Sequence, residues 1–143
     1  MAANLQKVTP DEIAAAMMDR GASDNDLLDG PEFDPNAVAH AMAWACARFD
    51  EMPPFVTGGF TPENFPYKTI MINWASAYLL RAAALRLKRN QIDARTAAGT
   101  AIDYAGDKPQ FYMSVAQSLQ DDGDRSARRI KAVANMESGY GHI

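Results

Sequence analysis

The chain has 143 residues, 48% hydrophobic and 22% charged, which suffices for one domain with a core and excludes a disordered composition. Its formal net charge of −4 argues against general nucleic-acid binding. The single cysteine, Cys46, excludes an intrachain disulfide and a thiolate metal cluster.

The opening MAANLQKVTP has no apolar core of the kind a signal peptide carries. The first strong element follows it. Thr9-Pro10-Asp11-Glu12 is a helix start, with Thr9 as cap, Pro10 in the first turn and Glu12 closing a capping box. The spacing predicts a helix to about Arg20, with Ile13 and Met17 inward. GASDNDLLDGPEF, residues 21–33, reads as a loop of turn formers.

Asp34-Pro35 opens a second helix, to about Glu51. Val38, Met42, Ala45 and Phe49 form its buried stripe, widened by Ala37, Ala41 and Trp44, and Cys46 is expected as a small buried side chain. Met52-Pro53-Pro54 ends it. PPFVTGGFTPENFP, residues 53–66, is extended loop. Phe55, Phe60 and Phe65 recur there every five residues, either plugging the core under the loop or meeting a neighbouring subunit.

Residues 67–89 are predicted as a long central helix, apolar around much of its circumference. Its apolar region, 70–87, is broken by Asn73, Ser76, Arg81 and Arg86 and is not a membrane span. A protein of the cytoplasm, or of something assembled there, is expected.

Next comes NQIDARTAAGTAIDYAGDKPQFY, residues 90–112. Ile92, Ala94 and Thr96 alternate with Asp93 and Arg95, and Thr100, Ile102 and Tyr104 alternate with Ala101 and Asp103. Period two on both sides of Ala97-Ala98-Gly99 predicts a short β-hairpin or extended arm over about 91–105. Such an arm is too small to stand alone and must pack on its own chain or on a neighbour. Ile92, Arg95, Ile102 and Tyr104 are its candidate interface residues.

Asp107-Lys108-Pro109-Gln110 starts the last helix. Phe111, Val115 and Leu119 are spaced by four, and Ile130 and Val133/Ala134 resume the stripe. Between them QDDGD places Gly123 inside the pattern, where a kink or break is expected. The closing ESGYGHI predicts an extended tail from about Glu137, with Tyr140, His142 and Ile143 available for contact. The fold expected is mainly α: a small single-domain helical bundle around a long central helix, with the arm and the tail.

Charge is uneven along the chain. Residues 1–63 carry eleven acids and three bases; residues 64–143 carry seven acids and eleven bases. This polarity describes either two solvated faces of opposite sign or a subunit that docks head-to-tail on copies of itself.

Catalytic and metal-binding patterns are missing from the sequence. Neither His40 nor His142 has a ligand partner one turn on. Asp24, Asp26, Asp29 and Gly30 are out of register for a calcium loop and serve as turn chemistry. No phosphate loop or nucleophile motif occurs. The chain reads as a non-enzyme without a cofactor.

The order of segments resembles the head–tail connector (adaptor or neck) proteins of tailed bacteriophages. The likeness runs through DNDLLDGPEFDPNAVAHAMAWACARFDEMPP, FTPENFPY with IMINWASAYLLRAAALRLKRN, DARTAAGTAIDYAGDKPQFY, and RSARRIKAVANMESGYG. It is one of pattern and arrangement, with QDDGD as a departure. It implies a virion subunit in a homo-oligomeric ring, commonly a dodecamer, under the portal protein, that extends the DNA channel and joins the capsid to the next neck or tail protein. DNA would pass through without specific binding. The resemblance gives portal docking to the tail residues Tyr140, His142 and Ile143. Alternatives are another neck, tail or baseplate component, or a small bacterial helical binding or regulatory protein.

Overall fold

A computed structural model describes residues 7–17, 33–53, 59–98 and 107–139. Among these residues four helices occur in chain order: α1 (Pro10–Ala16), α2 (Pro35–Glu51), α3 (Lys68–Ala98) and α4 (Asp107–Gly139). No strand occurs among the described residues.

The caps form as their residue types dictate. Glu12 N–H donates to Thr9 Oγ1 at 3.3 Å, and Thr9 N–H donates back to Glu12 Oε2 at 2.9 Å. Asp34 Oδ1 accepts from Ala37 N–H at 2.8 Å and so caps α2. Glu12 also pairs with Lys68, tying α1 to the first turn of α3. That ammonium, with the Thr9 amide, holds the Glu12 carboxyl below the usual carboxylate range.

α3 and α4 form a long antiparallel hairpin. Trp74 lies against Gly123 and Asp124, and Arg81 hydrogen-bonds Gln117 at 3.4 Å, so seven residues forward on α3 are about seven back on α4. With 31 and 33 residues, the helices run about 46 and 50 Å. α2 covers only part of that length. Trp44 stacks on Tyr78 at 5.4 Å, and the N-terminal turn of α2 borders Ala83 and Arg86. α1 packs on α2 and α3 near the start of α3.

The core joins Ile13, the inner row of α2 and the inward residues of α3. Phe49 is its aromatic hub, with Phe65 and Tyr67 at 5.3 Å, Phe60 at 5.7 Å and Trp74 at 6.5 Å. The loop bearing Phe60 and Phe65 is fixed by polar contacts. Phe60 N–H donates to Asp50 Oδ2 at 3.2 Å, and Asn64 Oδ1 accepts from Thr61 N–H at 2.7 Å. Gly59 enters it at φ 78°, a conformation that side chains disfavour.

Four expectations change. Residues 91–98 are the last turns of α3, so the first strand of the predicted hairpin, with Ile92 and Arg95, is helix. Between Lys68 and Ala98 there is no Pro or Gly to stop a helix, and Ala, Gln and Arg are good helix formers. The second strand, with Ile102 and Tyr104, lies outside the described residues. α4 runs unbroken through Gly123 to Gly139, so residues 136–139 are helical rather than extended tail. Tyr140, His142 and Ile143 lie outside the described residues. α1 is shorter than expected and ends at Ala16.

Candidate functional site

Where α2, α3 and α4 meet, polar groups are drawn into a knot. Arg48 donates from Nη2 to both Asp124 oxygens at 2.9 Å and from Nε to Oδ1 at 3.1 Å. Trp74 Nε1–H donates to the same Oδ1 at 3.1 Å. The Arg48 guanidinium lies over the rings of Trp44 (5.5 Å) and Trp74 (5.4 Å). A carboxylate with three charge-assisted or indole donors holds one geometry. This arrangement locks helix positions.

A second polar pair is more deeply placed. Lys131 is 2% exposed, with Nζ 4.5 Å from the centre of the Phe49 ring. Burial lowers its pKa, and the negative charge of Asp50 acts against that shift. Asp50 Oδ1, Ser76 Oγ and Gln120 Oε1 are buried without a partner among the described residues, the kind of group that ordered water satisfies. Cys46 is also buried, and burial pushes its thiol up to about 11.

The described residues contain no group of three or more His, Cys, Asp or Glu able to hold a metal, and no helix there is long and apolar enough to cross a membrane. His40 is exposed on α2.

What stands out is the unspent apolar surface of the hairpin. Leu85 is 66% exposed, Phe111 64%, Val133 50% and Met136 60%. Leu85 and Phe111 lie toward the α3–α4 link, one turn or more beyond the Arg81–Gln117 contact. Val133 and Met136 lie near the other end of α4. There a shallow groove of about 280 Å³ runs between Tyr67 and the α4 residues Arg129, Ile130, Val133, Ala134 and Glu137.

Helical wheel geometry places Arg125, Arg129, Val133 and Met136 on one stripe of α4, opposite its buried row. That row is Ala116, Gly123, Ala127 and Lys131. The expected stripe of large apolar residues is therefore corrected. Phe111 and Val133 face outward, while Val115, Leu119 and Ile130 are half-buried flanks. Small side chains line the contact because Trp74 comes so close. A Cβ built on Gly123 would stand 2.4 Å from Trp74 Nε1.

The other candidate interface residues divide. Phe65, 3% exposed, is consumed by the chain's own core, and half-buried Phe60 packs on it at 5.6 Å. Neither phenylalanine stands out as a free anchor for a neighbour. Phe55 lies outside the described residues. The outward α4 stripe was missed, although arginines and apolar residues at i, i+4, i+8 and i+11 are its sequence signal.

Comparison with family models, curated proteins and solved structures finds no match to this chain.

Proposed function

We propose that the chain is a structural subunit of a bacteriophage head–tail connector: a ring-forming adaptor that joins the portal to the next neck or tail protein. The observation that carries this reading is the exposed apolar surface at both ends of the α3–α4 hairpin, beside a core that is already closed. Side chains such as Leu85, Phe111, Val133 and Met136 gain only when another surface covers them. The knot at Arg48 and Asp124 supports the same role, because a subunit that transmits force between neighbours needs helices that cannot slide. The segment order of the sequence supplies the kind of assembly. Negative charge along the channel would let DNA pass without adhering.

The test is to label the subunit in intact particles and image them. Density at the portal-proximal neck in several symmetric copies is expected. Label elsewhere in the tail or baseplate would refute the connector assignment, and absence from particles would favour a cellular binding protein.

A further inference from the structure

The outward side of α4 carries a seven-residue repeat. Phe111, Ser118, Arg125 and Ala132 form one column, and Val115, Asp122, Arg129 and Met136 form the next. Steps that alternate between four and three residues keep both columns on one side of a helix. That side faces away from the buried row of Ala116, Gly123 and Ala127. Val115 is half-buried at its margin, and the other members of the two columns are exposed. Of the described helices, α3 packs along α4, and α2 reaches it where Arg48 holds Asp124.

From its N-terminal end this face runs apolar, acidic, basic, apolar: Phe111 and Val115, Asp121 and Asp122, Arg125 to Arg129, then Ala132 and Met136. Turned end for end, the pattern meets its own complement. With a two-fold axis between residues 123 and 124, each column of one copy faces the other column of its mate. Phe111 then meets Met136, Val115 meets Ala132, Ser118 meets Arg129 and Asp122 meets Arg125, each pair occurring twice. Asp121 and Arg128 flank the seam and also face each other. The register is selective. Slid by seven residues one way, Arg125 meets Arg129; slid the other way, Arg129 meets Phe111 and Arg125 meets Val115. In a parallel pairing in register, Arg125 meets Arg125 and Asp122 meets Asp122. Each alternative sets like charges together or strips the apolar ends of their partners.

We propose that two copies of this chain pair through the outward faces of α4 as an antiparallel, two-fold dimer. A second copy is the occupant because the face complements itself layer by layer; any other partner would have to repeat the same order of charges. From Phe111 to Met136 the contact runs about 38 Å. At its centre the exposed Asp122–Arg125 pair of one helix, 3.8 Å apart, joins that of the other in a cluster of four alternating charges. Apolar ends hold the pair and the charged centre selects it, so the contact is reversible and sensitive to salt. It is isologous, hence distinct from the head-to-tail contacts of a ring, and it stands whether or not the connector reading does. In the free subunit it covers Phe111 and Met136 until another partner displaces the mate.

The test is sedimentation equilibrium of the full chain, where a monomer–dimer equilibrium that weakens with added salt is expected. Asp122→Arg and Arg125→Asp each set like charges across the axis and should each weaken their own dimer at least about tenfold. Mixed together, the two variants should pair as strongly as the parent, because every central contact again joins arginine to aspartate. The double variant Asp122→Arg/Arg125→Asp should do so by itself, and it carries the test if either single variant fails to fold. The two side chains are 56% and 82% exposed, and circular dichroism checks each fold. Cross-linking reads the register. Val115→Cys and Ala132→Cys proteins, mixed and mildly oxidised, should link to each other, while Cys46, 2% exposed, stays silent. Ser118→Cys should not link to itself, since the two copies of that position stand about 16 Å apart along the axis. A chain that stays monomeric up to about 0.2 mM overturns the proposal, including one whose face is covered by its own residues. A dimer indifferent to the charge exchanges overturns it too, as does ready self-linking of Ser118→Cys.

Discussion

Replacing Gly123 by alanine sets two effects of opposite sign against each other. In an exposed helix interior the change stabilises by about 1 kcal/mol, because glycine gives up more backbone freedom on folding. Here the new methyl would stand 2.4 Å from Trp74 Nε1, 2.5 Å from Cδ1 and 3.2 Å from Cε2. Trp74 is fully buried and wedged against Phe49, so the indole has no open side to move into. If α4 backs away instead, the 3.1 Å bond from Trp74 to Asp124 stretches with it. Overpacking costs roughly 1–3 kcal/mol, and a weakened hydrogen bond to a charged group about 1.5–3 kcal/mol. Whichever of the two gives way, less the propensity gain, Gly123→Ala should destabilise by up to about 2 kcal/mol. Urea unfolding reads this as a lower midpoint at unchanged slope. Trp74→Phe removes Nε1, the nearest of the clashing atoms, and leaves a smaller ring, so the alanine should cost less in that background. A Gly123→Ala protein more stable than the parent would refute the close-approach account.

Other perturbations follow from the same contacts. Arg48→Met leaves the Asp124 carboxylate, 15% exposed, with Trp74 as its remaining side-chain donor among the described residues, and should cost about 2–4 kcal/mol in urea unfolding. Adding Asp124→Asn removes the stranded charge and should recover part of that loss. Phe65→Ala opens a void beside Phe49, Phe60 and Tyr67 and should cost about 3–5 kcal/mol; a loss below 1 kcal/mol would mean that the loop is not part of the core. Cys46 should resist thiol reagents at pH 8 in the folded protein and react on unfolding. Its thiol is raised from 9.0 to about 11 by folding, so the unfolded chain ionises first. This group's contribution to stability is therefore full below pH 9 and falls as pH rises toward 11, and Cys46→Ala should remove that component.

The helices were legible where local chemistry speaks. Thr9 with Glu12 and Asp34 with Pro35 announced their caps, and Val38, Met42, Ala45 and Phe49 fell on the buried face of α2 as their spacing required. The first half of the arm was misread because three alternating side chains, Ile92, Ala94 and Thr96, are too few to separate period two from a helix built of alanine and long polar residues. Gly123 was misread for another reason. A glycine that breaks a helix and one that admits an indole look alike until the partner helix is known. The same close approach hid the α4 face: Ala116 and Ala127 carry little hydrophobic signal, whereas outward Phe111 and Val133 carry much. Arg48, Trp74 and Asp124 come from three helices, and nothing local in the sequence brings them together.

The unequal lengths of α2 and the hairpin have a dynamic consequence. The start of α2 borders Ala83 and Arg86, so the remaining turns of α3, up to Ala98, extend about 18 Å further. Amide protection should therefore be graded along α3: slowest exchange around Trp74, faster exchange with each turn toward Ala98. In an assembly that covers Leu85 and Phe111 the gradient would flatten, and the outer turns would gain their cooperativity from the neighbour rather than from their own core.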